Sequence, residues 1–136
     1  MIKEAIFDSG IFIGSKYPRD QYHKESIKIL ENFIDGKIKK IYITNHVLAE
    51  SVNFLLTKAG FQIANGALDY LTGTDGIEIV EAGDLNKIKN IFKKYGNLSI
   101  TDCSLIALSE KLKIKEIFSF DKHFDSVKGI VRLKSI

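Results

Sequence analysis

The chain has 136 residues, enough for one hydrophobic core and too few for two ordinary domains, so residues 1–136 read as a single domain. Hydrophobic residues make up 45% and charged residues 27%, which excludes a disordered or fibrous chain, while the lone cysteine, Cys103, excludes an internal disulfide and a zinc site built from paired thiolates. A net charge of +3 is too mild to diagnose a nucleic-acid binder, and with neither a secretory leader nor a run of roughly 18 apolar residues the expectation is a soluble, cytoplasmic protein with no membrane attachment.

The first strand candidate is EAIF (4–7), and it stops on Asp8 before apolar residues resume at Ile11. Asp8 is read as the point where a buried strand surfaces into a loop, with Ser9 and Gly10 turning the chain. Tyr22, Ile27, Leu30, Phe33 and Ile34 then recur at helical spacing, and Gly36 is placed to end that helix. KIYIT (40–44) is the second strand. Asn45 follows it as a candidate cap for a helix through HVLAESVNFLLTKA, stopped by Gly60, and FQIANGALDYL makes a second helix directly after. IEIV (77–80) is the third strand; Asp84 can cap a helix whose apolar face is Leu85, Ile88, Ile91, Phe92 and Tyr95. Ser99 starts the last helix, ITDCSLIALSEKL, and KEIFSF (115–120) and IVRL (130–133) complete the strands. Short β-rich runs alternating with helices predict an α/β fold with a mostly parallel five-stranded sheet. Lysines cluster in GKIKK (36–40), KKY (93–95) and KLKIK (111–115), as solvated helix ends do, and they also permit an anionic partner.

Ligands of such sheets collect at the carboxyl ends of the strands. Asp8 lies just beyond the first strand and Asp121 just beyond KEIFSF. Glu50 sits about one and a half turns into the helix leaving the second strand, and Asp102 falls in the first turn of the helix that begins near Ser99. Each has a structural reading. Asp102, three residues after Ser99, fits a capping box; Asp121 and Asp125 fit turns; Glu50 fits a solvated helix position. Asp8 is the hardest to explain that way, because a carboxylate among apolar neighbours must be paired, coordinated or protonated. Taken together, carboxylates at one sheet edge repel unless a cation neutralises them, and oxygen-only ligands select Mg2+ or Mn2+. Phosphodiester hydrolysis by a metal-activated water follows, with Ser9, Thr101 and Asn45 as supporting polar neighbours.

These residues resemble the PIN-domain ribonucleases, in particular the small VapC-like toxins of prokaryotic toxin–antitoxin pairs. IFDSGIFIG, TNHVLAESVNFL, LSITDCSLIALSEKL and IFSFDKHFDSVKGIVRL carry the likeness in order along nearly the whole chain. The resemblance implies a three-layer, doubly wound sheet flanked by helices and a Mg2+- or Mn2+-dependent endoribonuclease. It also implies an RNA substrate, a cognate antitoxin and a homodimer, for which the helices from 45 onward offer a surface. Matched position by position, Asp8, Glu50 and Asp102 are three of the acids, serving as metal and catalytic residues, and Ser9 and Thr101 support them. The fourth acid is Asp121 or, in reserve, Asp125; some members carry the acid next to the phenylalanine, where this chain has His123. His23, His46 and His123 are otherwise read as surface or capping residues.

Three rivals remain in view. A haloacid-dehalogenase-type phosphohydrolase needs a second acid two residues after the first, where this chain has Gly10. A phosphoacceptor receiver domain has the length but not the placement of acids. A catalytically weak module binding RNA or protein without turnover is the other alternative.

Overall fold

The run Ile2–Phe7 forms β1, and Ala5, Ile6 and Phe7 are fully buried, as a strand covered on both faces requires. Around it the computed structural model, which describes residues 1–136, places β2 (Ile38–Thr44), β3 (Ile77–Val80), β4 (Glu116–Phe118) and β5 (Val131–Leu133) in the order β3-β2-β1-β4-β5. Every pairing is parallel. Six helices flank the sheet: α1 (Ser9–Lys16), α2 (His23–Ile34), α3 (Asn45–Ala59), α4 (Phe61–Gly73), α5 (Leu85–Tyr95) and α6 (Ile100–Leu112). This is the three-layer doubly wound arrangement. The strand order reverses between β1 and β4, which puts the switch-point crevice beyond the ends of those two strands.

A cluster of 25 buried residues welds the layers together. At its centre the Phe7 ring packs against Phe118, with centroids 4.9 Å apart, and against Phe12 at 5.8 Å. Phe7 and Phe118 immediately precede Asp8 and Ser119, so this packed cluster underlies the strand ends that face the crevice. No helix is long and apolar enough to cross a membrane.

Three local expectations need correction. The expected turn after Asp8 is helix α1. SGIFIGSK carries two glycines and two β-branched isoleucines, a poor helix former, but Asp8 caps it by accepting from the Ser9 N–H at 2.8 Å, and burial of Ile11, Phe12 and Ile13 holds it. Asn45 is not the cap of α3. Thr44 is, its hydroxyl accepting from the Val47 N–H at 3.2 Å, while the Asn45 side chain accepts from Ala82 N–H at 3.0 Å and pins the loop after β3. The fourth strand ends at Phe118 rather than 120. Ser119 still donates its N–H to Leu133 O at 2.9 Å, but its hydroxyl is drawn to Asp8 and the chain leaves the sheet.

Gly14 marks where α1 and α2 cross most closely. A Cβ there would overlap the Ser26 hydroxyl and stand 3.0 Å from Ser26 Cβ.

Candidate active site

Asp8 comes out of β1 into the crevice and is only 7% exposed. Both its oxygens are engaged. Oδ1 accepts from the Ser9 N–H, and Oδ2 accepts from the Ser119 hydroxyl at 2.7 Å, across 111 residues of sequence. The Ser119 hydroxyl in turn accepts from the Asp121 N–H at 3.0 Å, so one buried serine couples the ends of β1 and β4. The Ser9 hydroxyl donates to Glu50 Oε1, tying the helix acid to the strand-end acid.

Asp102 is 6% exposed in the first turn of α6. The capping box expected from its spacing is present: the Ser99 hydroxyl accepts from Asp102 N–H at 3.0 Å, and Asp102 Oδ2 accepts from Ser99 N–H at 3.0 Å. Capping uses one oxygen and orients the other, so it does not exclude a role in the crevice. Asp121 caps the 3-10 segment Lys122–Ser126 by accepting from the His123 N–H at 2.9 Å, and the His123 ring stands 3.0 Å from the same carboxylate.

Asp8, Glu50, Asp102 and Asp121 all line one cleft of about 630 Å3, as do Ser9 and Ser99. No lysine or arginine lines it. Burial is the main reason that Asp8 is pushed up to about 7; the Ser119 hydrogen bond opposes the shift, and the Asp102 and Glu50 charges add to it. Asp102 is raised too, by burial first and then by Asp121 and Glu50. The carboxylates thus repel one another, with no lysine or arginine on the cleft wall to relieve them.

Asp125 stands elsewhere. It is forked onto Arg132, with N–O distances of 2.8 and 3.1 Å, and is held below the usual carboxylate range by that guanidinium. Asp121 therefore lines the cleft and Asp125 does not. Thr101 is buried outside the cleft wall, and Asn45 is committed to Ala82. His123, read from sequence as a surface residue, lines the cleft, whereas the His23 ring bonds Gly14 O at 2.7 Å.

A profile of the PIN domain matches residues 5–130. The chain belongs to the PIN-domain family. This PIN domain is 30% identical over 131 residues to a VapC ribonuclease of Archaeoglobus fulgidus, covering 88% of this chain and 78% of that one. Its fold matches the crystal structure of VapC20 of Mycobacterium tuberculosis, described as a sarcin-ricin loop cleaving toxin, with a TM-score of 0.75 at 17% identity, over 93% of this chain and 96% of the other. A chain of a toxin–antitoxin complex from Klebsiella pneumoniae matches with a TM-score of 0.66 at 17% identity, over 93% and 95%.

The carboxylates of this PIN cleft offer oxygen donors, the chemistry of a hard divalent ion, and His123 adds a ring nitrogen beside Asp121. No three of its carboxylates or histidines converge into a closed metal cage. The fit is to an ion held by one or two carboxylates that keeps its remaining positions for water and phosphate, the habit of Mg2+.

Sequence reasoning missed four features of the cleft. Ser119 has no local signal, because its partner lies at the other end of the chain. Asp20 and Asn97 lie on the wall from loop positions, and Asp20 already forms a turn by accepting from Tyr22 N–H at 2.8 Å. Tyr22 and Phe120 stack at the rim, 4.2 Å between centroids and 9° from parallel; an aromatic in the polar stretch PRDQYHK was the available hint.

Proposed function

We propose that this PIN domain is a Mg2+- or Mn2+-dependent endoribonuclease acting as the toxin of a toxin–antitoxin pair in the cytoplasm. The observation that carries the reading is the buried Asp8, held by Ser9 and Ser119 and crowded by Glu50 and Asp102 in a cleft with no lysine or arginine. The ribonuclease and toxin relatives support the substrate class.

In this role Asp8 and Asp102 would hold the ion, with Glu50 and Asp121 on the same cleft wall to support it. A bound divalent ion supplies neutralisation of the scissile phosphate and a lowered pKa for the attacking water. Ser119 keeps Asp8 and Asp121 in register, and Ser9 keeps Asp8 and Glu50 together, so neither hydroxyl is a nucleophile. The capping box fixes Asp102 before substrate arrives, which limits reorganisation during the reaction. An antitoxin would silence the cleft by presenting a basic side chain to these acids. A homodimer would form through the exposed apolar residues of α3 and α4, among them Phe54, Leu56, Phe61 and Ile63.

The deciding experiment is cleavage of RNA by wild type and Asp8→Asn with Mg2+, with Mn2+ and with EDTA. Cleavage is expected only with metal and only in wild type; metal-independent cleavage, or full activity in Asp8→Asn, would sink the mechanism.

A further inference from the structure

The cleft cannot attract a polyanion by itself, since its wall is acidic and carries no lysine or arginine. A group of four lysines gathers at the opposite, N-terminal edge of the sheet. There, a second cavity of about 400 Å3 opens between α5, α6 and the entry to β4. Lys94, Lys113, Lys115 and Lys128 line it over an apolar floor that includes Tyr95 and Ile130. The one carboxylate on its wall, Glu110, is paired with Lys87 at 2.5 Å, and none of the four lysines has a carboxylate within salt-bridge distance. Lys94 Nζ stands 5.3 Å from the Tyr95 ring centroid.

Lys113 is an independent pointer. It is the C-cap of α6 at φ 58°, ψ 41°, and every other residue of the chain with positive φ is a glycine. Left-handed backbone is unfavourable for a residue with a Cβ, and glycine is the usual choice at such a cap. The turn is fixed on both sides by Ser109, whose hydroxyl donates to Ile114 O at 2.5 Å and whose carbonyl accepts from Ile114 N–H at 3.1 Å. Glycine would serve this backbone better; lysine adds a charge to the cavity.

We propose that this basic groove is a second RNA-binding site, which takes the phosphate backbone of a single-stranded stretch of substrate remote from the bond being cleaved. Its choice of ligand rests on the ribonuclease reading. A row of lysines over an aromatic and apolar floor is the combination that tracks a strand's phosphates and stacks its bases. Helix α6 joins the two sites, with Asp102 in its first turn and Lys113 at its far end, a rise of about 17 Å. A long RNA reaches both sites, and a short oligonucleotide centred on the cleft does not.

The test is anisotropy of a labelled, unstructured RNA of about 20 nucleotides, in EDTA so that the acidic cleft contributes only repulsion. Wild type is compared with the triple variant Lys94→Gln/Lys115→Gln/Lys128→Gln and with Lys113→Gly. The triple variant is expected to bind about tenfold or more weakly, with the salt slope reduced by about 2 for three lost phosphate contacts on a single strand. Lys113→Gly is expected to melt higher and bind RNA more weakly, a combination that a folding defect cannot give. With metal present, the triple variant should cut a hexanucleotide at the wild-type rate while KM for the long RNA rises. Equal RNA binding by wild type and triple variant overturns the proposal. So does polyglutamate of matching length binding wild type as tightly as RNA, which would assign the groove to an acidic protein segment. If no RNA is cut with any metal yet lysine-dependent binding persists, the nuclease reading fails and the groove stands.

Discussion

Asp8 follows β1, caps α1 and faces the cleft, so its protonation reaches both stability and site. Its folded value near 7 lies above the ordinary 3.8, so the folded chain holds a proton that the unfolded chain gives up. The resulting stabilisation is fully present below about 3.8 and is lost as pH rises through about 7. In EDTA the Tm of wild type should therefore fall between pH 5 and pH 8. Asp8→Asn should flatten most of that slope, with Asp102, shifted the same way, supplying the remainder. Saturating Mg2+ at pH 8 should restore the Tm of wild type alone. An undiminished slope in Asp8→Asn would assign the pH dependence to other groups. At the same scale, Asp121→Asn is expected to cost about 100-fold or more in cleavage, whereas Asp125→Ala, which breaks only the pair with Arg132, should leave the rate unchanged. The reverse order would return the fourth acid to Asp125.

Elements were legible where burial and spacing were local. All five strands stood out as short runs rich in Ile, Val, Phe and Tyr, a composition that marks them even where the outer strands β3 and β5 are only partly buried. Helix α1 did not, since SGIFIGSK opposes helix by propensity and forms through an Asp8 cap and a tertiary contact at Gly14. Asp8, Asp102 and Asp121 were legible because they follow strands or open helices, and Glu50 because its helix leaves β2, whereas Asp20 on its loop was not. Ser119 and the Tyr22–Phe120 stack were not, because they acquire meaning only when β4 settles beside β1. The α1–α2 crossing gives its own prediction: Gly14→Ala should destabilise by about 1–3 kcal/mol through overpacking. Adding Ser26→Gly should recover much of it, as urea melts of the single and double variants would register. A neutral Gly14→Ala would mean that the two helices can part without cost.

For the whole molecule, α3 and α4 leave large apolar side chains in water, with Phe61 70% and Leu56 49% exposed. Under the proposed homodimer, Leu56→Lys/Phe61→Lys should shift sedimentation from dimer to monomer while a short RNA is still cut. Unchanged sedimentation would place the partner surface elsewhere. Acidic cleft, lysine groove and apolar helix face occupy separate parts of the molecule, so each is open to substitution without touching the other two.

The hydrogen bond from Ser119 to Asp8 also orders events during synthesis. Asp8 is among the first residues made, and the hydroxyl that steadies it is nearly the last piece of the cleft to arrive. A nascent chain that stops short of β4 has three of the four acids but neither Ser119 nor the strand that brings it home, so incomplete products should be inert. A chain proposed to be toxic to the cell that makes it thus becomes dangerous only when almost finished.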